Sequence, residues 1–203
     1  MPPKAKFTKE EIVTAALSIA RGRGIEAVTA RELGAALGTS ARPIFTVFKS
    51  MQEVQSEVRK AAMKLFEEYA NEALSYTPAF KAVGVQMIKF AMEEPKLFRL
   101  LYMQESSEGM SFDDHMKYLG STVDVCLEMI QRDYEITPDE ARILFRQVWI
   151  FTFGICVLCA AKTCYFTNEE ITEMLSREFT SMLMLIKSGK LDSCKTVLKQ
   201  NKE

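Results

Sequence analysis

Apolar residues recur at intervals of three and four along most of this 203-residue chain, which is the pattern of amphipathic α-helices. The pattern begins after Thr8, a residue suited to cap a helix, and first stops at Gly22 and Gly24. Long stretches without Pro or Gly follow, and no strand-like alternation of apolar and polar residues stands out. The sequence therefore predicts an all-α protein of about nine helices.

Residues 28–49 predict two short helices on either side of a break. Thr29 can cap the first helix, and Glu32 lies at the position that completes a capping box. Gly38 can end that helix in the left-handed conformation, and Ser40 can cap the second helix. This arrangement is typical of a helix-turn-helix, whose second helix lies in the major groove of DNA. An ordinary pair of short helices is the alternative.

The charge of the chain is unevenly distributed. The first 60 residues contain ten Lys or Arg and six Asp or Glu, a balance of +4, whereas the whole chain carries −1. A basic end on an acidic body favours a DNA-contacting segment attached to a body that does not contact DNA.

Residues 8–54 resemble the N-terminal domain of TetR-family transcriptional regulators. The family pattern is G-[VT]-S-x-x-x-[LI]-Y-x-[HY]-F-x-[SN]-K-x-x-L, and residues 38–54 read GTSARPIFTVFKSMQEV. Three residues depart from it: Phe45 replaces the usual Tyr, Val47 replaces His or Tyr, and Met51 replaces Lys. The first and third departures remove groups that often hold a DNA phosphate in the family.

The resemblance implies a helix-turn-helix DNA-binding domain at 1–50 and a ligand-binding and dimerisation domain at 51–203. A helix over about 51–75 would link the two. Arg42 is the predicted base-reading residue, because Arg suits guanine edges. The residues expected to face the major groove of the DNA are Ser40, Ala41, Arg42, Pro43 and Thr46. The residues expected to contact the DNA sugar-phosphate backbone are Thr29, Arg31, Phe45, Lys49 and Ser50.

The resemblance also implies a homodimer on double-stranded, palindromic operator DNA. Its interface is expected on the two predicted helices at 138–162 and 168–188, which are apolar over much of their circumference. Residues 149–154 read WIFTFG, similar to the W-x-x-x-H-G signature of one group of TetR C-terminal domains. Phe153 stands where that signature has His.

The body is rich in Met and aromatic residues, which pack cores but also line adaptable apolar pockets. With the resemblance, they predict a cavity for a mostly apolar small-molecule effector among the helices expected between 80 and 162. Ordinary core packing is the alternative. The predicted wall residues are Phe98, Tyr102, Phe112, Met116, Phe145 and Trp149.

The sequence offers little for catalysis. His115 is the single histidine, so no histidine pair can hold a metal, and no Gly-rich phosphate loop follows a strand. We expect no enzymatic activity, no metal and no cofactor. Cys156 and Cys159 form a C-x-x-C inside a predicted helix, which indicates two small buried residues or, alternatively, a thiol switch.

The expected location is the cytoplasm, without a membrane partner. No apolar run follows the basic residues at the N-terminus, and the most apolar run, 148–161, is shorter than the ~20 residues of a membrane span. The expected function is a TetR-type regulator, a repressor released by its effector. A thiol-redox-responsive regulator and an all-α ligand-binding protein with weakened DNA binding are the alternatives.

Overall fold

The computed structural model describes residues 6–73, 76, 79–104, 109, 111–118 and 121–191. Within them the secondary structure is helical without any strand, which confirms the all-α prediction. The nine α-helices are α1 (Lys9–Arg23), α2 (Ala30–Ala36), α3 (Met51–Ala73), α4 (Ala79–Glu93), α5 (Pro95–Tyr102), α6 (Phe112–Tyr118), α7 (Ser121–Tyr134), α8 (Pro138–Ala160) and α9 (Asn168–Lys187). One 3₁₀ turn, Ile25–Ala27, lies between α1 and α2, and another, Ile44–Thr46, lies between α2 and α3.

The N-terminal part, which we call the head, consists of residues 6–60 and packs α1 against α2 and the first half of α3. Thr8 caps α1 through a reciprocal pair of bonds with Glu11, at 3.1 Å and 2.8 Å, as the sequence pattern favours. Side chains from all parts of the head fill its core, including Ile12, Leu33 and Ile44, each with no exposed surface.

The predicted helix over residues 40–49 is wrong in its type and length, because the structure has only the 3₁₀ turn Ile44–Thr46 there. The amide of Ile44 donates to the Ala41 carbonyl at 3.1 Å, and that of Thr46 donates to the Pro43 carbonyl at 3.2 Å. These are bonds to the third residue back, which is the pattern of a 3₁₀ turn and not of an α-helix.

This turn lies directly against α2. A Cβ on Gly34 would lie 3.0 Å from the Thr39 carbonyl oxygen and 3.1 Å from the Ser40 carbonyl carbon. Gly34 therefore allows the chain to reverse tightly over the helix. The left-handed conformation predicted for Gly38 is present, with φ of 63°.

The remaining helices form the body, in which α8 lies at the centre and packs against α4, α5, α7 and α9. By length and hydropathy α8 is apolar enough to cross a membrane, so the 148–161 run belongs to a longer apolar helix than the sequence suggested. Its packing on four neighbours is that of a core helix.

Residues 119–120, between α6 and α7, lie outside the described residues. Pro78, just before α4, and residues 192–203 also lie outside them.

Candidate functional site: an exposed turn and an apolar cavity

The 3₁₀ turn of the head directs its side chains in two opposite ways. Ile44 and Phe48 are buried, whereas Phe45 between them is 48% exposed. Ser40, Arg42, Thr46 and Lys49 are exposed as well, and Ala41, Pro43 and Ser50 are half-buried. The segment around the turn, residues 40–50, therefore presents most of its predicted DNA-contacting residues to solvent, although it contains no α-helix.

Five cations of the head have no ion-pair partner within the described residues: Lys6, Arg31, Arg42, Lys49 and Arg59. Arg23 differs from these residues, because it forms an ion pair with Glu32 at 2.7 Å. The capping box predicted for α2 is therefore only half formed. The Thr29 hydroxyl accepts from the Glu32 amide at 3.2 Å, but the Glu32 carboxylate binds Arg23 and accepts no bond from the Thr29 amide. The cations left unpaired are suited to phosphate groups.

The hydroxyl groups of the head differ in what they can still donate. Thr29 and Ser50 both act as helix-cap acceptors, Ser50 from the Glu53 amide at 3.2 Å, so each keeps its hydroxyl proton for another acceptor. Thr46 donates its proton to the Pro43 carbonyl at 2.6 Å. Thr29 and Ser50 are therefore better hydrogen-bond donors to a phosphate oxygen than Thr46.

The body contains an apolar cavity that is partly open to solvent and has an empty volume of about 730 Å³, the open part included. The wall comes from α3, α4, α5, α7, α8 and α9. It is lined by Phe66, Phe80, Lys81, Val83, Gly84, Met87, Tyr102, Val123, Cys126, Phe145, Val148, Trp149, Thr152, Leu175 and Phe179.

Three of the six wall residues predicted from the sequence line this cavity: Tyr102, Phe145 and Trp149. The other three lie elsewhere: Phe98 is fully buried between Tyr102 and Phe153, at ring-centroid distances of 5.2 Å and 5.8 Å. Phe112 contacts the edge of Trp149, and Met116 is buried in the core next to the cavity.

Sequence reasoning missed the contributions of α3 and α9 to the wall. Phe66 contacts Phe90 and Tyr102 edge-on, at 5.4 Å and 5.5 Å. Phe179 contacts Phe80 at 5.7 Å. Periodicity shows that such residues are on a buried face, but it does not show which neighbour that face meets.

The polar groups on the wall are few. Thr152 is buried and donates its hydroxyl to the Val148 carbonyl at 2.7 Å. Burial raises the pKa of the Cys126 thiol to about 12 and the pKa of Tyr102 well above its ordinary value, so both side chains stay protonated near neutral pH.

A salt bridge joins the head to the body. Glu94, which is 4% exposed at the start of α5, accepts from the Nε of Arg21 on α1 at 2.8 Å and 2.7 Å, and its Oε1 also accepts from the Arg21 Nη2. The neighbouring Glu93 accepts from the Tyr69 hydroxyl at 2.6 Å. Bidentate pairing of this kind fixes orientation as well as contact.

The groups considered for redox or metal chemistry are poorly placed for it. Cys156 and Cys159 are buried, and burial raises the pKa of both thiols, which disfavours the reactive thiolate. His115 lies half-buried against the edge of Trp149. No group of three or more His, Cys, Asp or Glu suited to a metal is found among the residues with described positions.

Comparison with known proteins identifies the same family that the sequence of the head resembles, but the matching residues lie in the body. No curated protein was found to match the chain. Residues 80–182, which are 103 of the 203 residues, match the family model described as tetracyclin repressor-like, C-terminal domain. This segment runs from α4 into α9 and holds most of the cavity wall. Because the match covers just over half of the chain, the protein belongs to the tetracyclin repressor-like (TetR) family.

Proposed function

We propose that the protein is a homodimeric DNA-binding transcriptional regulator, a repressor that a mostly apolar small molecule releases from its operator. The observation that carries the proposal is the apolar cavity inside the segment that matches the TetR-type C-terminal domain. A body with an apolar cavity and a separate head with unpaired cations suits a molecule that couples a ligand to DNA.

In the head, the unpaired cations and the free hydroxyl protons suggest separate roles. Arg42, exposed on the turn, is the candidate for reading base edges. Arg31, Lys49, Thr29 and Ser50 are candidates for phosphate contacts, which position the protein without reading sequence. Phe45 provides an exposed ring but no hydroxyl.

Dimerisation is proposed through α8 and α9. Ile150 and Leu158 on α8 and Met184 on α9 are 47%, 38% and 68% exposed. Ile150, Gly154 and Leu158 follow one another at intervals of four, so they share one face of α8. A Cβ on Gly154 would meet no atom within 4 Å, which leaves that face open for a second copy of the chain to approach.

The experiment is a binding titration of the full-length protein on duplex DNA taken from the region flanking its own gene, with a random duplex of equal length as the reference. We expect specific binding at least 10³-fold tighter than non-specific binding, the lower end for specific regulators. Equal affinity for the two duplexes would overturn the proposed function.

Arg42→Ala tests the reading role of the turn. We expect it to weaken binding to the specific duplex by about 1–3 kcal/mol and to leave the random duplex far less affected. Lys49→Ala is the matched control, because loss of a phosphate contact weakens both duplexes similarly. Equal losses on both duplexes with Arg42→Ala would remove Arg42 from the specificity role.

A thiol-redox-responsive regulator remains the second candidate, because Cys156 and Cys159 are three residues apart on one helix. Their burial and raised pKa argue against it. DNA binding by the Cys156→Ser, Cys159→Ser double variant should respond to oxidant as the wild type does. A response present in the wild type and lost in the double variant would favour the thiol switch.

The third candidate is an all-α ligand-binding protein with weakened DNA binding. It is favoured by Phe45, Val47 and Met51, which depart from the TetR pattern. Phe45→Tyr discriminates, since restoring the hydroxyl should tighten DNA binding moderately if the turn contacts phosphate. A protein that binds no duplex with either residue at position 45 would support this candidate.

A further inference from the structure

Lys81 is the one charged side chain among the described residues that line the cavity. It is half-buried on the first turn of α4, and no ion pair or hydrogen bond joins it to another residue of the described part of the chain. No carboxylate shares the wall with it. A cation placed beside a largely apolar space without a partner favours an anion there, because the anion can exchange water for a direct ion pair.

The surroundings of Lys81 define the end of the cavity at which that anion would lie. The neighbouring Phe80 contacts Phe145 at 5.9 Å and Phe179 at 5.7 Å. These rings form a different part of the wall from the pair Phe66 and Tyr102, which contact each other at 5.5 Å. The wall thus has a Lys81 end, near the rings of Phe80, Phe145 and Phe179, and a Tyr102 end, near the ring of Phe66.

A stripe along α4 connects the two ends. Lys81, Gly84 and Met87 follow at intervals of three and all line the cavity, and they span about 9 Å along the helix axis. Gly84 lies opposite Thr152 and Leu175, which its absent Cβ would meet at 3.7 Å and 3.4 Å. Beyond Lys81 the stripe offers only apolar surface to a ligand.

The Tyr102 end has one polar group, the Tyr102 hydroxyl. The Tyr102 side chain is 8% exposed and lines the cavity, and its hydroxyl forms no hydrogen bond with any residue whose position is described. The wall carries no charge at this end, so it suits the uncharged part of a ligand rather than a charged group.

We propose that the ligand of this cavity is an apolar carboxylic acid in its ionised form, with its carboxylate on Lys81 and its hydrocarbon body along α4 toward Tyr102. This inference rests on the proposed function, because it names the chemical class of the effector. It excludes cationic and polyanionic ligands, since the wall supplies one positive charge and no negative charge.

The chain carries its own probe for the test. Trp149 is its single tryptophan and lines the cavity, so its fluorescence emission reports occupancy. Decanoate and decanol are the ligands used, because they share a saturated ten-carbon chain and differ in charge. The full-length protein is titrated with each at neutral pH, well above the ordinary carboxyl pKa.

Lys81→Met is the main variant, and Lys89→Met is its matched control on the same helix. Lys89 is exposed, lies 3.9 Å from Glu72 and does not line the cavity. We expect the wild type to bind decanoate at least fivefold tighter than decanol. Lys81→Met should weaken decanoate binding about fivefold to tenfold, as for a half-buried charge-assisted contact, and leave decanol within about twofold. Lys89→Met should leave both unchanged.

A second pair of variants checks that the signal comes from the cavity. Val123 lines the cavity, whereas Val125 on the same helix is 38% exposed. Val123→Phe should abolish the decanoate response and Val125→Phe should retain it. Circular dichroism of each variant establishes that the helices are intact.

Three results would overturn the inference: equal affinity for decanoate and decanol, equal weakening of both by Lys81→Met, or decanoate binding that persists in Val123→Phe. The DNA titration with ligand-free protein is independent of all three. A protein that binds its operator but not decanoate therefore contradicts the ligand class alone, whereas a protein that binds decanoate but not DNA contradicts the proposed regulator.

Discussion

The head and the body of this protein are built from similar helices but differ in how completely their interiors are filled. In the head, Leu33 and Ile44 have no exposed surface, and the chain reverses tightly enough at Gly34 to bring backbone within 3.0 Å of a Cβ position. The body retains an apolar cavity surrounded by six helices. A close-packed interior resists deformation, whereas a cavity wall has room to rearrange around a ligand. The contrast indicates that the head acts as a rigid unit and that conformational adaptability lies in the body.

The largest effect is expected from a matched pair of core truncations. Leu33→Ala removes a fully buried side chain from the head, and Leu175→Ala removes one that is 2% exposed but already faces the cavity. Leu→Ala changes in cores cost about 2–5 kcal/mol. We expect Leu33→Ala near the upper end and Leu175→Ala near the lower end, because Leu175 has fewer packing partners to lose. Urea unfolding followed by circular dichroism measures both free energies of unfolding, and a greater loss for Leu175→Ala would contradict the contrast.

The next effect is expected at the contact between the two regions. Arg21 and Arg23 lie two residues apart on α1 and each pairs with a glutamate, but Glu94 is 4% exposed and Glu32 is 37% exposed. Removing Arg21 leaves a buried carboxylate without its main partner, which we expect to cost about 1–3 kcal/mol, less than for a fully buried pair because Arg21 itself is 56% exposed. Removing Arg23 should cost less than about 1 kcal/mol.

Urea unfolding of Arg21→Ala and Arg23→Ala gives the comparison. If Arg21 also couples the regions, its variant should bind DNA but respond less to ligand, whereas the Arg23 variant should respond normally. Similar free energies of unfolding for the two variants would show that the contact between head and body is no stronger than a surface ion pair.

The smallest effect concerns pH in the body. Burial lowers the pKa of His115 below its ordinary value of 6.5. The folded state therefore binds the proton less readily than the unfolded state, so the stability from this site is complete above about pH 6.5 and decreases as pH falls through the lower pKa of the folded protein. Since His115 contacts the edge of Trp149 at 5.3 Å, its protonation should change Trp149 emission, with a midpoint below 6.5. His115→Gln is the control and should remove that transition. A midpoint above 6.5 would place His115 in a different environment.

The sequence predicted the helices best where local chemistry determines them. The helices expected after Thr8 and from 138 and 168 begin there in the structure, capped by Thr8, Thr137 and Thr167, because a side-chain acceptor three residues before a backbone amide acts locally. The predicted helix at 40–49 failed because apolar spacing there does not separate a 3₁₀ turn from an α-helix over so few residues.

The candidate site was predictable only in part. Trp149 and Phe145 were expected on the wall because aromatic residues line adaptable apolar pockets and the family resemblance implies such a pocket in the body. Lys81 was missed, since a lysine on a first helical turn is ordinarily a solvated surface residue. Arg21 and Glu94 were missed because they lie 73 residues apart, and sequence spacing gives no information about contacts over such separations.

The helix α3 contributes Val54 and Val58 to the core of the head and Phe66 to the wall of the cavity. Phe66 and Val54 are about 18 Å apart along its axis, with uninterrupted helix between them. If a ligand displaced Phe66 by tilting α3 slightly about a point near the cavity, the end of α3 in the head would move several times farther than the cavity wall. A displacement too small to reshape the cavity would then still be large compared with the length of a hydrogen bond between the head and DNA. The length of α3, as much as the chemistry of the ligand, would therefore determine how strongly ligand binding affects DNA binding.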